Sequence, residues 1–236
     1  MSKKNNIIIP KLERKIVKLP NPVKDKFVKE KWTKGRNLAL FPHPTRIIFC
    51  GNVGTGKTTT AMNVFLAHQS SNRPFEELYI ATCTTDNLEY QRLEPTAVMS
   101  VLPDPTTFDI KKKTLLIIDD FEFAKMNKRD ANLISTLFRY TSSHCNLSIY
   151  LCFQSFFNIP SICRKLSTVY VLWKPRSKLE LTLMANRAGI DVDILRQMFN
   201  EICQSHYDSI TIDHTVRTPA KFRLNIYNKL LIQEVD

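Results

Sequence analysis

Three of the five glycines in this 236-residue chain fall within six positions, at Gly51, Gly54 and Gly56. They stand between a short apolar run, Arg46-Ile-Ile-Phe-Cys50, and the pair Lys57-Thr58. The run has the length of one buried strand. From Thr58 to about Ser70, helical spacing places Ala61, Val64, Phe65 and His68 on one face. The octapeptide between them, Gly51-Asn-Val-Gly-Thr-Gly-Lys-Thr58, fits G-x-x-x-x-G-K-[ST] in full. Glycine suits such a loop because the backbone must approach a phosphate closely and adopt turns that a Cβ obstructs. The N–H groups of the loop and of the helix N-terminus then hold the anion. The expected phosphate ligands are Gly51, Asn52, Val53, Gly54, Thr55, Gly56, Lys57 and Thr58, with Thr59 next in the first helical turn. Lys57 is expected to reach the β- and γ-phosphates of ATP, and Thr58 to ligate Mg²⁺.

A phosphate loop of this kind needs a carboxylate at the tip of a neighbouring strand to complete the Mg²⁺ shell. Leu115-Leu-Ile-Ile-Asp119-Asp120 supplies it, with Phe121 and Glu122 following. Asp119 closes the strand and is the metal candidate. Asp120 is placed to orient the attacking water, with Glu122 as runner-up. The competing reading is that the two aspartates cap the next helix.

Strand candidates continue at Glu77–Thr82, Thr114–Asp119, Leu147–Gln154 and Val169–Trp173, with a helix over 129–141. Strands alternating with helices predict an α/β fold with a mostly parallel sheet. Beyond 176 the pattern becomes helical over Lys178–Cys203, interrupted near Gly189. Two strands, Ser209–His214 and Phe222–Tyr227, then flank a turn at Arg217–Ala220 that Pro219 supports. This last stretch is read as an extension of the same domain. Asp119 lies 62 positions after Lys57, and the gap holds a whole extra strand–helix unit. That spacing resembles the RecA-like branch of P-loop ATPases, in which another strand separates the two motif strands. Leu147–Gln154 is then the intervening strand, with Gln154 beside the γ-phosphate as a sensor or positioner.

Other P-loop classes fit the sequence less well. Asn127-Lys-Arg-Asp130 matches the guanine-reading N-K-x-D of GTPases, but it lies only a few residues past the carboxylates, and no glycine occurs from 58 to 188. The S-G-G signature of ABC ATPases is absent, and the length does not hold a second RecA-like lobe. A nucleotide kinase fits the size but explains neither Gln154 nor the charge distribution. Net charge is +12. Residues 1–36 carry twelve Lys or Arg against three Asp or Glu, so +9 sits in this arm and +3 in the domain over 37–236. Such an arm suits an acidic partner, nucleic acid first. The six cysteines lack C-x-x-C spacing and read as free, reduced thiols. No apolar stretch of about 18 residues is present, so no membrane span is expected, and Met-Ser-Lys-Lys-Asn-Asn does not open a secretory signal.

The chain resembles the genome-packaging ATPases of large DNA viruses and virophages, the poxvirus type, within the FtsK–HerA superfamily. The resemblance spans about residues 45–228. It is carried by the P-loop, the Leu115–Phe121 run, His144-Cys-Asn-Leu-Ser148, and above all Phe153-Gln-Ser-Phe-Phe-Asn-Ile-Pro-Ser-Ile-Cys-Arg164. Ser209-Ile-Thr-Ile-Asp213 with Phe222-Arg223 looks like the family's closing hairpin. It implies a Mg²⁺-dependent ATPase of RecA-like fold, with a C-terminal helix and β-hairpin extension. It also implies a ring of identical subunits that drives double-stranded viral DNA into a capsid, contact with capsid vertex proteins, and location in the host cytoplasm, a viral factory or the virion. One departure stands out. The family commonly carries Gly-Arg-His before the Gln-Ser strand, and that arginine is a candidate trans-acting finger, but this chain reads Ser142-Ser-His144. Arg164 and then Arg139 are the substitutes. The alternatives are an ATP-binding DNA-recognition or capsid-assembly protein with weak hydrolysis, or a P-loop nucleotide kinase.

Overall fold

A computed structural model describes residues 37, 38, 40–121, 123, 126–216 and 221–230. The basic arm, Glu122 and the turn over 217–220 lie outside the described residues. Strand β1 (Arg46–Cys50) leads through the glycine loop into α1 (Lys57–Gln69). Then follow β2 (Glu77–Thr82), the single-turn α2 (Leu88–Gln91), β3 (Ala97–Met99) and β4 (Thr114–Asp119). Next come α3 (Lys128–Thr136), α4 (Ser142–His144), β5 (Leu147–Phe153), α5 (Ser161–Leu166) and β6 (Val169–Trp173). The chain closes with α6 (Lys178–Ala188), α7 (Val192–Gln197), β7 (Ser209–Asp213), β8 (Phe222–Leu224) and β9 (Asn228–Lys229).

These strands form one sheet in the order β3-β2-β4-β5-β1-β6-β7-β8-β9. Pairing is parallel from β3 to β6 and antiparallel from β6 to β9. Strand β5 lies between β1 and β4, as the RecA-like resemblance implies. The central strands read as unbroken apolar runs because both faces are covered. Ile47, Phe49, Leu115 and Ile117 pack with Ala61, Val64 and Phe65 of α1 on one face. Ile48, Cys50, Leu116 and Ile118 pack on the other with Ile134 of α3, Met184 of α6 and Leu195 of α7.

The structure corrects several boundaries. The gap between the two motif strands holds two strands, since β3 pairs with β2 at the sheet edge. Three residues at an edge carry no periodic signal. The helix expected over 129–141 starts one residue earlier, widens into a π turn at Leu137–Thr141 and runs on into α4. The last predicted strand stops at Leu224, because Asn225 takes φ 55° and turns the chain toward β9. Asn127-Lys-Arg-Asp130 is a helix start: the Asn127 side chain accepts from the Asp130 N–H at 2.9 Å. The C-terminal hairpin is pinned by a fully buried ion pair, Arg223 Nη2 to Asp213 Oδ2 at 2.8 Å, with the guanidinium over the Phe41 ring. Among the described residues no helix is long and apolar enough to cross a membrane.

Candidate functional site

The site gathers at the C-terminal ends of the parallel strands, where open α/β sheets bind ligands. Gly51 continues the β1–β5 pairing, its N–H donating to Phe153 O at 3.1 Å. Gly54 and Gly56 take φ 76° and 86°, so both need the left-handed region that a Cβ disfavours. Gly51 is glycine for a different reason. A Cβ there would stand 2.5 Å from Cβ of Trp173. The loop must therefore pass close beneath β6, a packing demand the sequence pattern does not disclose. Gly56 also N-caps α1 without any side-chain cap, so the leading N–H groups of that helix face into the loop.

The loop is held by its own oxygen at Asn52. Thr55 Oγ1 and Lys57 Nζ both donate to Asn52 O, each at 2.9 Å. Lys57 is buried and lies along the loop, while Val53 and Gly54 form an exposed tip and Thr59 is exposed at the start of α1.

Two strand tips complete the site. Asp119, at the end of β4, is 1 % exposed. Its Oδ2 accepts from Thr58 Oγ1 at 2.7 Å and from the Tyr90 hydroxyl of α2 at 2.7 Å. Its Oδ1 is buried with no partner. Desolvation pushes the Asp119 carboxyl above the usual range, and the bonds from Tyr90 and Thr58 only partly oppose it. A buried carboxylate oxygen beside a threonine hydroxyl, with one face unsatisfied, is the donor set that a hard divalent cation takes. The Tyr90 contact is missed by sequence reasoning, because a one-turn helix has no periodicity and the pairing appears only once β2 lies beside β4.

Asp120 is the next residue but occupies a different environment. It is exposed and adopts φ 48°, uncommon for a residue with a Cβ. Its Oδ1 accepts from Gln154 Nε2 at 3.2 Å. Asp120 and Gln154 line a cavity of about 390 Å³ with Cys83, Phe121, Phe153 and Asn158. The helix that follows is capped by Asn127, so neither aspartate serves as its cap.

The segment after β5 is braced at both ends. Glu180 Oε1 on α6 accepts from Ser155 Oγ and from the Phe156 N–H. Arg164 Nη1 donates to the carbonyls of Phe156, Phe157 and Ile159, and its guanidinium packs against the Phe156 ring. Arg164 is thus engaged within its own loop. Arg139 is exposed in the π turn. The adjoining Phe138 carbonyl accepts from Arg46, the first residue of β1, so Arg139 sits at the opposite end of the sheet from its own P-loop. Cys50 and Cys152 are buried free thiols whose pKa values are pushed up by desolvation.

No protein-family model matches the chain, and no curated protein matches it. Solved structures do. The genome packaging NTPase B204 of Sulfolobus turreted icosahedral virus 2, in complex with sulfate, is 15 % identical at a TM-score of 0.53, covering 81 % of this chain and 98 % of that one. The pCW3 conjugation coupling protein TcpA with ATPgS is 11 % identical at a TM-score of 0.55, covering 87 % and 66 %. EssC (ATPases 2 and 3) from Geobacillus thermodenitrificans is 13 % identical at 0.52, covering 81 % and 41 %. The chain has the RecA-like P-loop ATPase fold of these proteins, which is the fold its sequence resemblance implies.

Proposed function

We propose that this chain is a Mg²⁺-dependent ATPase whose hydrolysis drives double-stranded viral DNA into a capsid. One observation carries the reading. Thr58 and Asp119 meet at 2.7 Å beside an unpartnered carboxylate oxygen, while Asp120 and Gln154 meet at 3.2 Å on the adjoining strand tip. Thr58 and Asp119 would hold the Mg²⁺ shell, which neutralises charge on the β- and γ-phosphates. Lys57 binds the phosphate oxygens. Asp120 orients the attacking water, and Gln154 holds that carboxylate at the γ-phosphate end. The placement of B204 among the similar folds supports the packaging role.

In this reading the subunits form a ring, each site is completed by a neighbour, and Arg139, exposed where Arg164 is engaged in its own loop, is the arginine that crosses. The basic arm holds DNA, and a capsid vertex anchors the ring in the host cytoplasm or viral factory. A second reading is a nucleotide-binding assembly protein with weak hydrolysis. It is favoured by Ser142-Ser143 in place of an arginine and by the internal engagement of Arg164. Steady-state ATPase measured with and without duplex DNA separates the two. Duplex DNA should raise turnover at least several-fold in the wild type and leave Lys57→Ala inactive. Turnover indifferent to DNA refutes the motor.

A further inference from the structure

We propose that Arg164 of α5 and Arg187 of α6 form an anion site of their own, which takes a dianionic phosphate, either free or as a monoester. The proposal is independent of the triphosphate reading above. Arg187 stands half-buried in the last turn of α6. Among the described residues it makes no hydrogen bond and no ion pair, and its Nε is buried without an acceptor. Arg164 is half-buried too, and its Nε is likewise buried without an acceptor. Buried donors are nearly always paired, so two orphans on neighbouring guanidiniums call for an acceptor.

The two side chains act on each other. Burial lowers the Arg164 pKa, and the Arg187 charge lowers it further. Arg187 also acts on Tyr170 of β6, whose hydroxyl donates to Arg164 O at 2.6 Å. Arg164 is held where it stands. Its Nη1 donates to the carbonyls of Phe156, Phe157 and Ile159, and its guanidinium packs against the Phe156 ring. Those carbonyls are neutral, so they fix the guanidinium without cancelling its charge. A guanidinium keeps its proton in proteins, so titration does not relieve the repulsion.

The carboxylates of the surrounding elements are committed elsewhere. Glu180 of α6 accepts from Ser155 and Phe156, and Asp191 accepts from the Asp193 N–H. Asp193 pairs with Arg196, and Asp213 pairs with Arg223. Past Tyr170 the next ring is His214, edge-to-face at 5.8 Å, with the Lys221 charge acting on it. These neighbours offer no spare counter-charge. Two cations side by side also select the ligand. A phosphate monoester carries about −1.5 to −2 of charge at neutral pH and offers three acceptor oxygens, whereas a carboxylate or a phosphodiester carries a single charge. Guanidinium forks match phosphate geometry and are weakly hydrated, so half-burial costs them less than it costs an ammonium.

The test uses the full chain carrying Lys57→Ala, which removes the P-loop's own cation for phosphate. It is titrated at constant ionic strength with inorganic phosphate, phenyl phosphate, diethyl phosphate, acetate and duplex DNA. The readout is the arginine Nε–H signals in a ¹⁵N-correlated NMR spectrum, with the Arg187 signal identified by its loss in Arg187→Lys. Inorganic phosphate should shift the Arg164 and Arg187 signals together and saturate near about 1–10 mM. Phenyl phosphate acting alike supports a site open to monoesters, and phenyl phosphate without effect supports one that holds the free ion. Arg187→Gln should weaken phosphate about tenfold or more, read on the Arg164 signal. Arg187→Lys should weaken it less, since it keeps the charge and loses the fork. The proposal is overturned if inorganic phosphate moves neither signal by about 50 mM. It is equally overturned if acetate, diethyl phosphate or duplex DNA moves both signals at the same or lower concentration, or if Arg187→Gln leaves phosphate affinity unchanged. The first of these outcomes needs no substitution at either arginine.

Discussion

Asp119→Asn should stabilise the nucleotide-free protein while destroying its response to Mg²⁺. Asp119 is 1 % exposed, and one of its two carboxylate oxygens has no partner. Its pKa is raised, so the ionised form is the costly one. The sign follows from linkage. Below the ordinary carboxylate value the neutral group lends its full stability, and that contribution is lost as pH rises through the raised folded value. Above the raised folded value the whole cost is present. Asparagine keeps an oxygen to accept from Thr58 and Tyr90 and places a neutral amide where the orphan oxygen stood. An unsatisfied buried acceptor costs about 1–3 kcal/mol, more when charged, and a neutral amide costs less. A gain of about 1–3 kcal/mol in a domain of this size raises Tm by about 2–12 °C. Thermal melts in EDTA and in Mg²⁺ with ATP give the readout. The variant should melt above wild type in EDTA, gain nothing further from Mg²⁺ with ATP, and lose its advantage as pH is lowered. A variant that melts below wild type in EDTA would refute the reasoning and make Asp119 a structural hub for Thr58 and Tyr90.

Tyr90→Phe removes one of the two donors to Asp119 Oδ2, a charge-assisted bond of about 1.5–3 kcal/mol, so the apparent Mg²⁺ affinity in an ATPase titration should fall roughly tenfold or more. Asp120→Asn keeps a residue type that tolerates φ 48° and removes only the charge, so ATP binding should persist while turnover falls by at least about tenfold; loss of binding would show that Asp120 belongs to the phosphate cradle. Arg164→Ala frees three loop carbonyls and should lower Tm by about 3–10 °C. Arg139→Ala should melt like wild type, and mixing its inactive subunits with inactive Lys57→Ala subunits should restore some ATPase if Arg139 acts across a subunit boundary. Deleting residues 1–36 removes +9 of charge and should flatten the salt dependence of DNA affinity, read as the slope of log K against log salt.

How far the site is legible in the sequence depends on which interactions are local. The strand runs and the P-loop are legible because their cause is local: Ile47 to Cys50 alternates between two covered faces, and Gly54 and Gly56 answer their own backbone angles. The reason for Gly51 is not, because the atom that forbids a side chain there belongs to Trp173, 122 residues further along the chain. Arg164 shows the same limit. As a basic residue in a loop at the ligand-binding end of the sheet it reads as a finger, and only the positions of three carbonyls show where its charge is used. Asp119 and Asp120 make the point most sharply. Adjacent and chemically identical, they differ because the strand ends between them. Pairing with Thr82 and Cys152 fixes Asp119 in the dry interior. One step on, the chain turns through the left-handed region, and Asp120 emerges against Gln154. A non-glycine residue held at that angle carries a cost of about 1–3 kcal/mol, and such strain persists where the surrounding structure fixes it. Here it separates two carboxylates into one that is buried beside Thr58 and one that is open to water, which is the division of labour that a metal ligand and a water-orienting base require.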